Sequence, residues 1–311
     1  MNGKYRVAVF GSGAVGGYFG GRLAEAGAEV TFIARGTHLR VLREEGLCVE
    51  SLAGDFRIQP ANATDDPGDV GPVDVVLVGV KAWQVRAVAP TMRPLIGADT
   101  IVLPLQNGVE APSELIEALG AGPVVGGLCR IVATVARPGR IRHMGVDPIV
   151  TFGELDGRRT ARIDALKHAF DAATGAHPEV SDDIQAAMWG KFLFICGVSG
   201  VGAVTRVPVG AFRAQPETRA LLAGAMQEVA DVAAAHGIGL VENIVDRTLT
   251  FIDGLPADAT ASMHRDIVEG RPSELEYQNG AVVRLGQAAG VETPVNRFIY
   301  HSLLPLERRS R

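Results

Sequence analysis

Short apolar runs alternate with helical patterns along roughly the first 180 residues. The strand candidates are Val7–Gly11, Val30–Ala34, Val73–Val80, Ile101–Leu105, Val124–Gly127 and Ile149–Phe152. The helix candidates between them, with apolar residues three or four positions apart, are Gly16–Ala26, His38–Glu45, Gln84–Ile96 and Ser113–Leu119. The first four strand candidates are apolar on both faces, which is typical of parallel strands covered by helices. This alternation predicts an α/β fold with a Rossmann-type, doubly wound parallel sheet.

The pattern changes after Ser181, where strand-like runs end and helical periodicity takes over, most clearly in Leu221–Ala235, Val241–Ile252 and Ala281–Ala289. This half is predicted to be a mainly α-helical C-terminal domain. Apolar periodicity lapses between residues 176 and 183, so we place the boundary there, giving domains of residues 1–180 and 181–311. The charged end, Glu307–Arg311, has nothing to bury and is expected to fray.

A glycine-rich turn follows the first predicted strand and opens the first predicted helix. Its residues are Gly11, Ser12, Gly13, Ala14, Val15 and Gly16. In such a turn the first glycine permits the bend, the second lets a pyrophosphate approach the main chain, and the third lets helix and strand pack closely. The strand-turn-helix context favours a dinucleotide site over an ordinary glycine-rich turn.

The second predicted strand ends at Arg35, where NAD-binding folds usually place an acidic residue. A guanidinium there can bind a 2′-phosphate, so we expect NADP(H) as the cofactor. The alternatives are that Arg35 is an ordinary solvated arginine or that nearby Arg40 supplies the charge.

Polar residues also follow the third and fourth predicted strands, where open α/β sheets bind ligands. Lys81 can meet phosphate or carboxylate charge, and Asn107 can orient a cofactor, although Asn-Gly is also a common turn pair. In the second half, Lys191 lies in an otherwise apolar helix, where a lone ammonium is costly unless it has a task, a partner or a path to the surface. Glu274 is its candidate partner, or it complements a helix dipole behind an N-cap at Ser273.

Composition narrows the classes of function. A net charge of −5 gives no reason to expect nucleic acid binding. Cys48, Cys129 and Cys196 lie far apart and suggest neither a metal site nor disulfides, but buried thiols in a reducing compartment. We see no signal peptide, and the longest uncharged apolar stretch, residues 192–204, is too short to span a membrane. A cytoplasmic protein, with a homodimer as one option, is expected.

Several of these motifs resemble, in order and spacing over nearly the whole chain, the ketopantoate reductase (2-dehydropantoate 2-reductase) family. They are Gly11–Gly16, Arg35, Val80–Val85, Gln106–Gly108, Trp189–Lys191, Ser262–Met263 and Glu274–Gly280. The resemblance implies an NADP-dependent oxidoreductase that reduces 2-dehydropantoate, a small 2-oxo acid, to pantoate in pantothenate and coenzyme A biosynthesis. It also implies that Lys191 donates the proton and that Glu274 and Asn107 are catalytic. The other roles it implies are cofactor binding by the turn, Arg35, Lys81 and Asn107, and substrate binding by Lys191, Ser199, Ser262 and Glu274.

The chain departs from the family pattern at three positions that bear on the substrate. Ile195, Ser199 and Ala259 stand where well-known members carry asparagines. A lost amide changes which polar substrate groups a pocket can pair. The alternatives are therefore a paralogous reductase of another small 2-oxo acid or ketone, a 3-hydroxyacid dehydrogenase of the phosphogluconate type, or a non-catalytic NADP-binding sensor.

Overall fold

The computed structural model describes residues 4–311, which form two compact units. The first runs up to Gln106 and resumes at Ala111–Ile184, while the second comprises Asn107–Glu110 and Gln185–Arg311. The second unit therefore starts at Gln185, slightly after the predicted boundary. The reason is that residues 177–180 form a strand of the first unit and the Ser181 amide donates to the Phe152 carbonyl at 3.0 Å.

The first unit is built on a parallel five-stranded sheet. In chain order the strands of the described residues are β1 (Arg6–Phe10), β2 (Glu29–Ile33), β3 (Leu47–Glu50), β4 (Phe56–Ile58), β5 (Asn62–Thr64), β6 (Val75–Val78), β7 (Ile101–Pro104), β8 (Gly126–Arg137), β9 (Arg140–Gly153) and β10 (His177–Val180). The parallel sheet has the order β5-β2-β1-β6-β7. Strands β6 and β7 are buried along their whole length, so their continuous apolar runs were readable in the sequence. The prediction of a Rossmann-type parallel sheet is confirmed.

Helices flank this sheet and make up most of the second unit. They are α1 (Ala14–Glu25), α2 (Gly36–Glu45), α3 (Val85–Val88), α4 (Ala111–Leu119), α5 (Ala161–Asp171), α6 (Ile184–Thr205), α7 (Val209–Ala214), α8 (Pro216–Ala235), α9 (Ile244–Asp253), α10 (Ser262–Val268), α11 (Asn279–Ala289) and α12 (Pro294–Ser310). The helix predicted over residues 84–96 is wrong in detail. Only α3 is α-helical there, and 3₁₀ turns flank it, because Pro90 and Pro94 lack the amide that α-helical bonding needs.

A second sheet, with the order β10-β9-β3-β4 and with β8 paired to β9, packs in the same unit. The sequence analysis predicted only two short pieces of it and missed the outer parts of the long β8–β9 hairpin, which are largely half-buried or exposed. Residues 149–152, the predicted piece of β9, are the part that pairs with β10.

The helical unit packs around α6, which contributes Phe192, Leu193 and Cys196 to a core shared with α8, α11 and α12. Among residues 4–311, α6 is the one helix whose length and composition would suffice to cross a membrane. In the most apolar 18-residue stretch of α6, 67% is buried inside the protein. The core helix of a soluble protein has the same length and composition, so these two features are weak evidence for a membrane segment.

The C-terminus is anchored, so the expectation of a frayed tail is wrong. Helix α12 runs to Ser310, and Glu307 is only 5% exposed. Its carboxylate accepts hydrogen bonds from the Ser273 amide and, at 2.5 Å, from the Ser273 hydroxyl, and it pairs with Arg311 at 2.8 Å. The charged residues at the end of the chain therefore hold a buried turn in place.

Candidate functional site

The glycine-rich turn joins β1 to α1 in the way the sequence predicted. Gly11 has φ +95°, and a Cβ there would lie 2.6 Å from the Val80 amide nitrogen. A Cβ on Gly16 would lie 2.3 Å from the Gly11 carbonyl oxygen, which explains the tight packing of the helix on the strand. Around Gly13, by contrast, nothing lies within 4 Å of a Cβ position. Gly11 and Gly16 are thus required by packing, whereas Gly13 borders open space.

The start of α1 has the features of an anion site. No side chain caps the helix, and its first turn, which begins at Ala14 and Val15, contains no acidic residue. Amide groups and the positive end of the helix dipole are therefore directed at whatever occupies the turn. Ser12 is 3% exposed, and its hydroxyl has no hydrogen-bond partner among the described residues. The turn thus offers donors that a pyrophosphate could satisfy.

Arg35 is exposed and immediately precedes α2. It occupies the N-cap position, and the first turn of α2 contains no acidic residue, so the local charge favours an anion. Arg40, the alternative source of charge, pairs with Glu44 at 2.8 Å on the exposed face of α2. Arg35 is therefore the better placed of the two for a phosphate.

The segments after β6 and β7 lie close together in the first unit. The exposed Lys81 places its ammonium 5.7 Å from the ring of Trp83. The buried side chain of Gln106 donates to the carbonyls of Val78 and Val80, each at 2.8 Å. Gln106 thus fixes the chain that leads to Lys81, a role that the sequence analysis did not predict.

Asn107 and Glu274 meet within the helical unit. Asn107 lies in the segment 107–110, which follows β7 but belongs to the second unit, and its side-chain nitrogen donates to Glu274 Oε2 at 3.1 Å. Glu274 is only 6% exposed, so this contact replaces water for a carboxylate that is otherwise costly to bury. Gly108, at φ +105°, lets the segment turn close to the Tyr277 carbonyl. Asn107 and Glu274, which are 167 positions apart in the chain, are therefore in direct contact in the folded unit.

Lys191 is a half-buried residue of α6 in apolar surroundings. Its neighbours in sequence, Trp189 and Phe192, are buried and their rings meet edge to face at 5.6 Å. Lys191 thus lies on an apolar helix without being fully withdrawn from solvent. This is a suitable environment for a group that must exchange a proton with a bound ligand.

The remaining predicted substrate residues divide into two groups. Ser262 is the half-buried first residue of α10, and Ile195 and Ala259 are half-buried beside the apolar core of the helical unit. Ser199 is completely buried, and its hydroxyl has no hydrogen-bond partner among the described residues. Contact between Ser199 and a substrate therefore requires a different local arrangement from the one described.

A Rossmann-type unit with a glycine-rich turn, followed by a helical unit with a lysine and a buried carboxylate, defines a class of oxidoreductases. Comparison with known proteins makes the class specific. The family model described as ketopantoate reductase PanE/ApbA matches residues 7–157, and the model of the C-terminal part of that family matches residues 183–307. The chain belongs to the ketopantoate reductase family, whose members are oxidoreductases acting on CH–OH donors.

Individual relatives agree over nearly their whole length. A 2-dehydropantoate 2-reductase of Nostoc is 31% identical, over 98% of this chain and 96% of the relative. An uncharacterized oxidoreductase of Bacillus subtilis, YkpB, is 30% identical, over 95% and 96%. A crystal structure of a PanE/ApbA family ketopantoate reductase from Ralstonia eutropha superimposes with a TM-score of 0.88 at 31% identity, covering 98% of this chain and 99% of the other.

Proposed function

We propose that the protein is an NADPH-dependent reductase of a small 2-oxo acid and that 2-dehydropantoate is its substrate. The observation that carries the proposal is the hydrogen bond between Asn107 and the buried Glu274, in the same unit as Lys191. A carboxylate held in one orientation beside an amide is what a site needs to position a polar ligand. The 2-dehydropantoate 2-reductases among the relatives support the choice of substrate.

The residues of the turn fit a dinucleotide. The open space at Gly13 leaves room for its pyrophosphate, and the uncapped start of α1 and the Ser12 hydroxyl, which has no partner within residues 4–311, would donate hydrogen bonds to it. Arg35 would bind a 2′-phosphate, which is the basis for proposing NADPH over NADH. When bound, the reduced nicotinamide supplies a hydride.

In the helical unit Lys191 donates the proton. As the carbonyl carbon of the substrate gains a hydride, negative charge develops on its oxygen, and the ammonium of Lys191 transfers a proton there. Glu274, oriented by Asn107, holds the substrate or the lysine in place, and Ser262 donates a hydrogen bond to the substrate carboxylate. The product is the 2-hydroxy acid, and Lys191 regains its proton from solvent.

A less polar 2-oxo acid is the second candidate substrate. Ile195 and Ala259 bring alkyl groups to positions beside the core where a hydrogen-bonding amide is absent, and the hydroxyl of Ser199 is buried. A site without these amides leaves substrate hydroxyls unpaired, which weakens discrimination in their favour.

The first experiment measures NADPH oxidation by the purified protein with 2-dehydropantoate and with 2-oxo acids that carry larger apolar groups. We expect a higher kcat/KM for 2-dehydropantoate. A higher value for the apolar acids would select the second candidate, and no oxidation with any of them, despite tight NADPH binding, would contradict a reductase.

Lys191→Met tests the proton donor because it keeps an apolar stem of similar length. We expect kcat to fall about 100-fold or more, with an unchanged dissociation constant for NADPH. Lys167→Met is the matched control, since Lys167 is a half-exposed lysine of α5 that pairs with Asp171. Near-normal turnover by Lys191→Met would refute the assignment.

Arg35→Asp tests the cofactor. The change removes a phosphate ligand and adds a group that repels a 2′-phosphate but can accept from a ribose hydroxyl, so we expect preference to move from NADPH toward NADH. Arg40→Asp is the control on the same helix, and an equal effect there would reassign the contact.

A further inference from the structure

His38 joins three parts of the first unit. It lies half-buried in the first turn of α2, with Nε2 2.8 Å from the Ser12 carbonyl oxygen and Nδ1 3.2 Å from the Gly139 amide nitrogen. An amide N–H can only donate, so Nδ1 is the unprotonated nitrogen and Nε2–H donates to Ser12. Burial lowers the pKa of His38, which favours this neutral ring. In one defined tautomer, His38 thus links the glycine-rich turn at Ser12 to the hairpin turn at Gly139.

The contact with Ser12 orients the glycine-rich turn. The peptide between Ser12 and Gly13 is planar and trans, so its carbonyl and its N–H point in opposite directions. Holding the carbonyl toward His38 therefore directs the Gly13 amide away from it. Because Gly13 borders open space, that amide direction is what a ligand in the turn would meet.

The contact with Gly139 attaches the start of α2 to the turn of the β8–β9 hairpin. Gly139 has φ +72°, and a Cβ there would lie 2.5 Å from Val41 Cγ1, so hairpin and helix are in close contact. The Gly139 carbonyl also accepts from the Cys48 amide at 2.9 Å. The first turn of α2 is thereby held from the side opposite Ser12, and Arg35 lies three residues before His38.

We propose that His38 is a positioning residue that couples the pyrophosphate turn to Arg35 and so determines the preference for NADPH. The inference rests on the proposed NADPH-binding function. NADPH engages the turn and Arg35 together, so its binding depends on their spacing. NADH engages only the turn, so it would lose the orientation of the Gly13 amide but not the spacing to Arg35, and its binding depends less on His38.

Binding of each cofactor to His38→Leu and His38→Gln, measured by calorimetry, tests the proposal. Leucine removes both hydrogen bonds, whereas glutamine keeps a donor and an acceptor. We expect His38→Leu to raise the Kd for NADPH about tenfold and the Kd for NADH much less. We expect His38→Gln to restore most of the preference for NADPH over NADH. His177→Leu, at an exposed histidine of the same unit, is the control and should bind as the unmodified protein does.

Equal weakening of both cofactors, or a preference that survives in His38→Leu, would overturn the inference while leaving the proposed function intact. An unmodified protein without preference for NADPH would overturn both. If His38→Leu does not fold, ¹⁵N NMR of the unmodified protein decides, since the opposite tautomer of His38 would refute the coupling and the assigned one would support it.

Discussion

Gly13 and Gly16, three positions apart in the same turn, should respond to alanine in opposite ways. At Gly13 the backbone is extended, with φ −71° and ψ −157°, and nothing lies within 4 Å of a Cβ position. At Gly16 the Cβ would lie 2.3 Å from the Gly11 carbonyl oxygen and 3.0 Å from Val9 Cγ1. The first substitution thus enters open space beside the turn, and the second enters the packed interface of helix and strand.

The magnitudes follow from these distances. Gly13→Ala loses no packing and restricts the unfolded chain, so the free energy of unfolding should stay the same or rise by about 0.5 kcal/mol. Gly16→Ala forces backbone apart, which should cost about 2 kcal/mol and lower the Tm by about 4 to 8 °C. A methyl group where a pyrophosphate approaches should weaken NADPH binding by about 2 kcal/mol, or about thirtyfold, in Gly13→Ala.

Thermal unfolding and calorimetric titration of both variants with NADPH separate the two effects. We expect a stable Gly13→Ala protein that binds NADPH poorly and a Gly16→Ala protein that is destabilised. Normal NADPH affinity in Gly13→Ala would mean that the cofactor does not approach this turn. An unchanged Tm in Gly16→Ala would mean that the helix can move off the strand without cost.

Three further outcomes are expected. Hydrogen bonds from Arg162 hold the pKa of Glu154 below its usual value. The stability that they confer should therefore be full above about pH 4.5 and be lost as pH falls through the lowered pKa. In urea unfolding, the free energy of unfolding of Glu154→Gln should be about 2 kcal/mol lower than that of the unmodified protein at pH 7, and the difference should narrow in acid. A double-mutant cycle of Asn107→Ala and Glu274→Ala, followed by urea unfolding, should give a coupling energy of about 1 to 2 kcal/mol, and additive effects would contradict the contact. Burial raises the pKa of the Cys196 thiol, so an aromatic disulfide reagent at pH 8 should leave it unlabelled until the protein unfolds.

The sequence predicted best those elements whose side chains are buried in one regular pattern. Strands β1, β2, β6 and β7 were found because parallel strands in a covered sheet are continuously apolar. Glycine positions in the turn were interpretable for a related reason, since close approach of backbone leaves few residue types.

What the sequence could not predict depends on long-range contacts. The outer part of β8 was missed although Ile131–Val135 is largely apolar and β-branched, and the structure leaves these residues half-buried or exposed on the β8–β9 hairpin instead of in the core. Glu307 looked like part of a solvated tail until the structure placed it against Ser273, and His38 carried no signal of its contacts with Ser12 and Gly139. Of the three cysteines, Cys48 is half-buried where a buried thiol was predicted.

The division of the chain has a consequence for exchanging parts between relatives. Because residues 107–110 belong to the helical unit, a chimera that replaces only residues 185–311 would supply a foreign Glu274 to the resident Asn107. Two sequences that evolved separately would then share one hydrogen bond at the centre of the proposed chemistry. A chimera made to transfer substrate preference should therefore exchange the four-residue segment 107–110 together with residues 185–311, so that both partners come from the same parent.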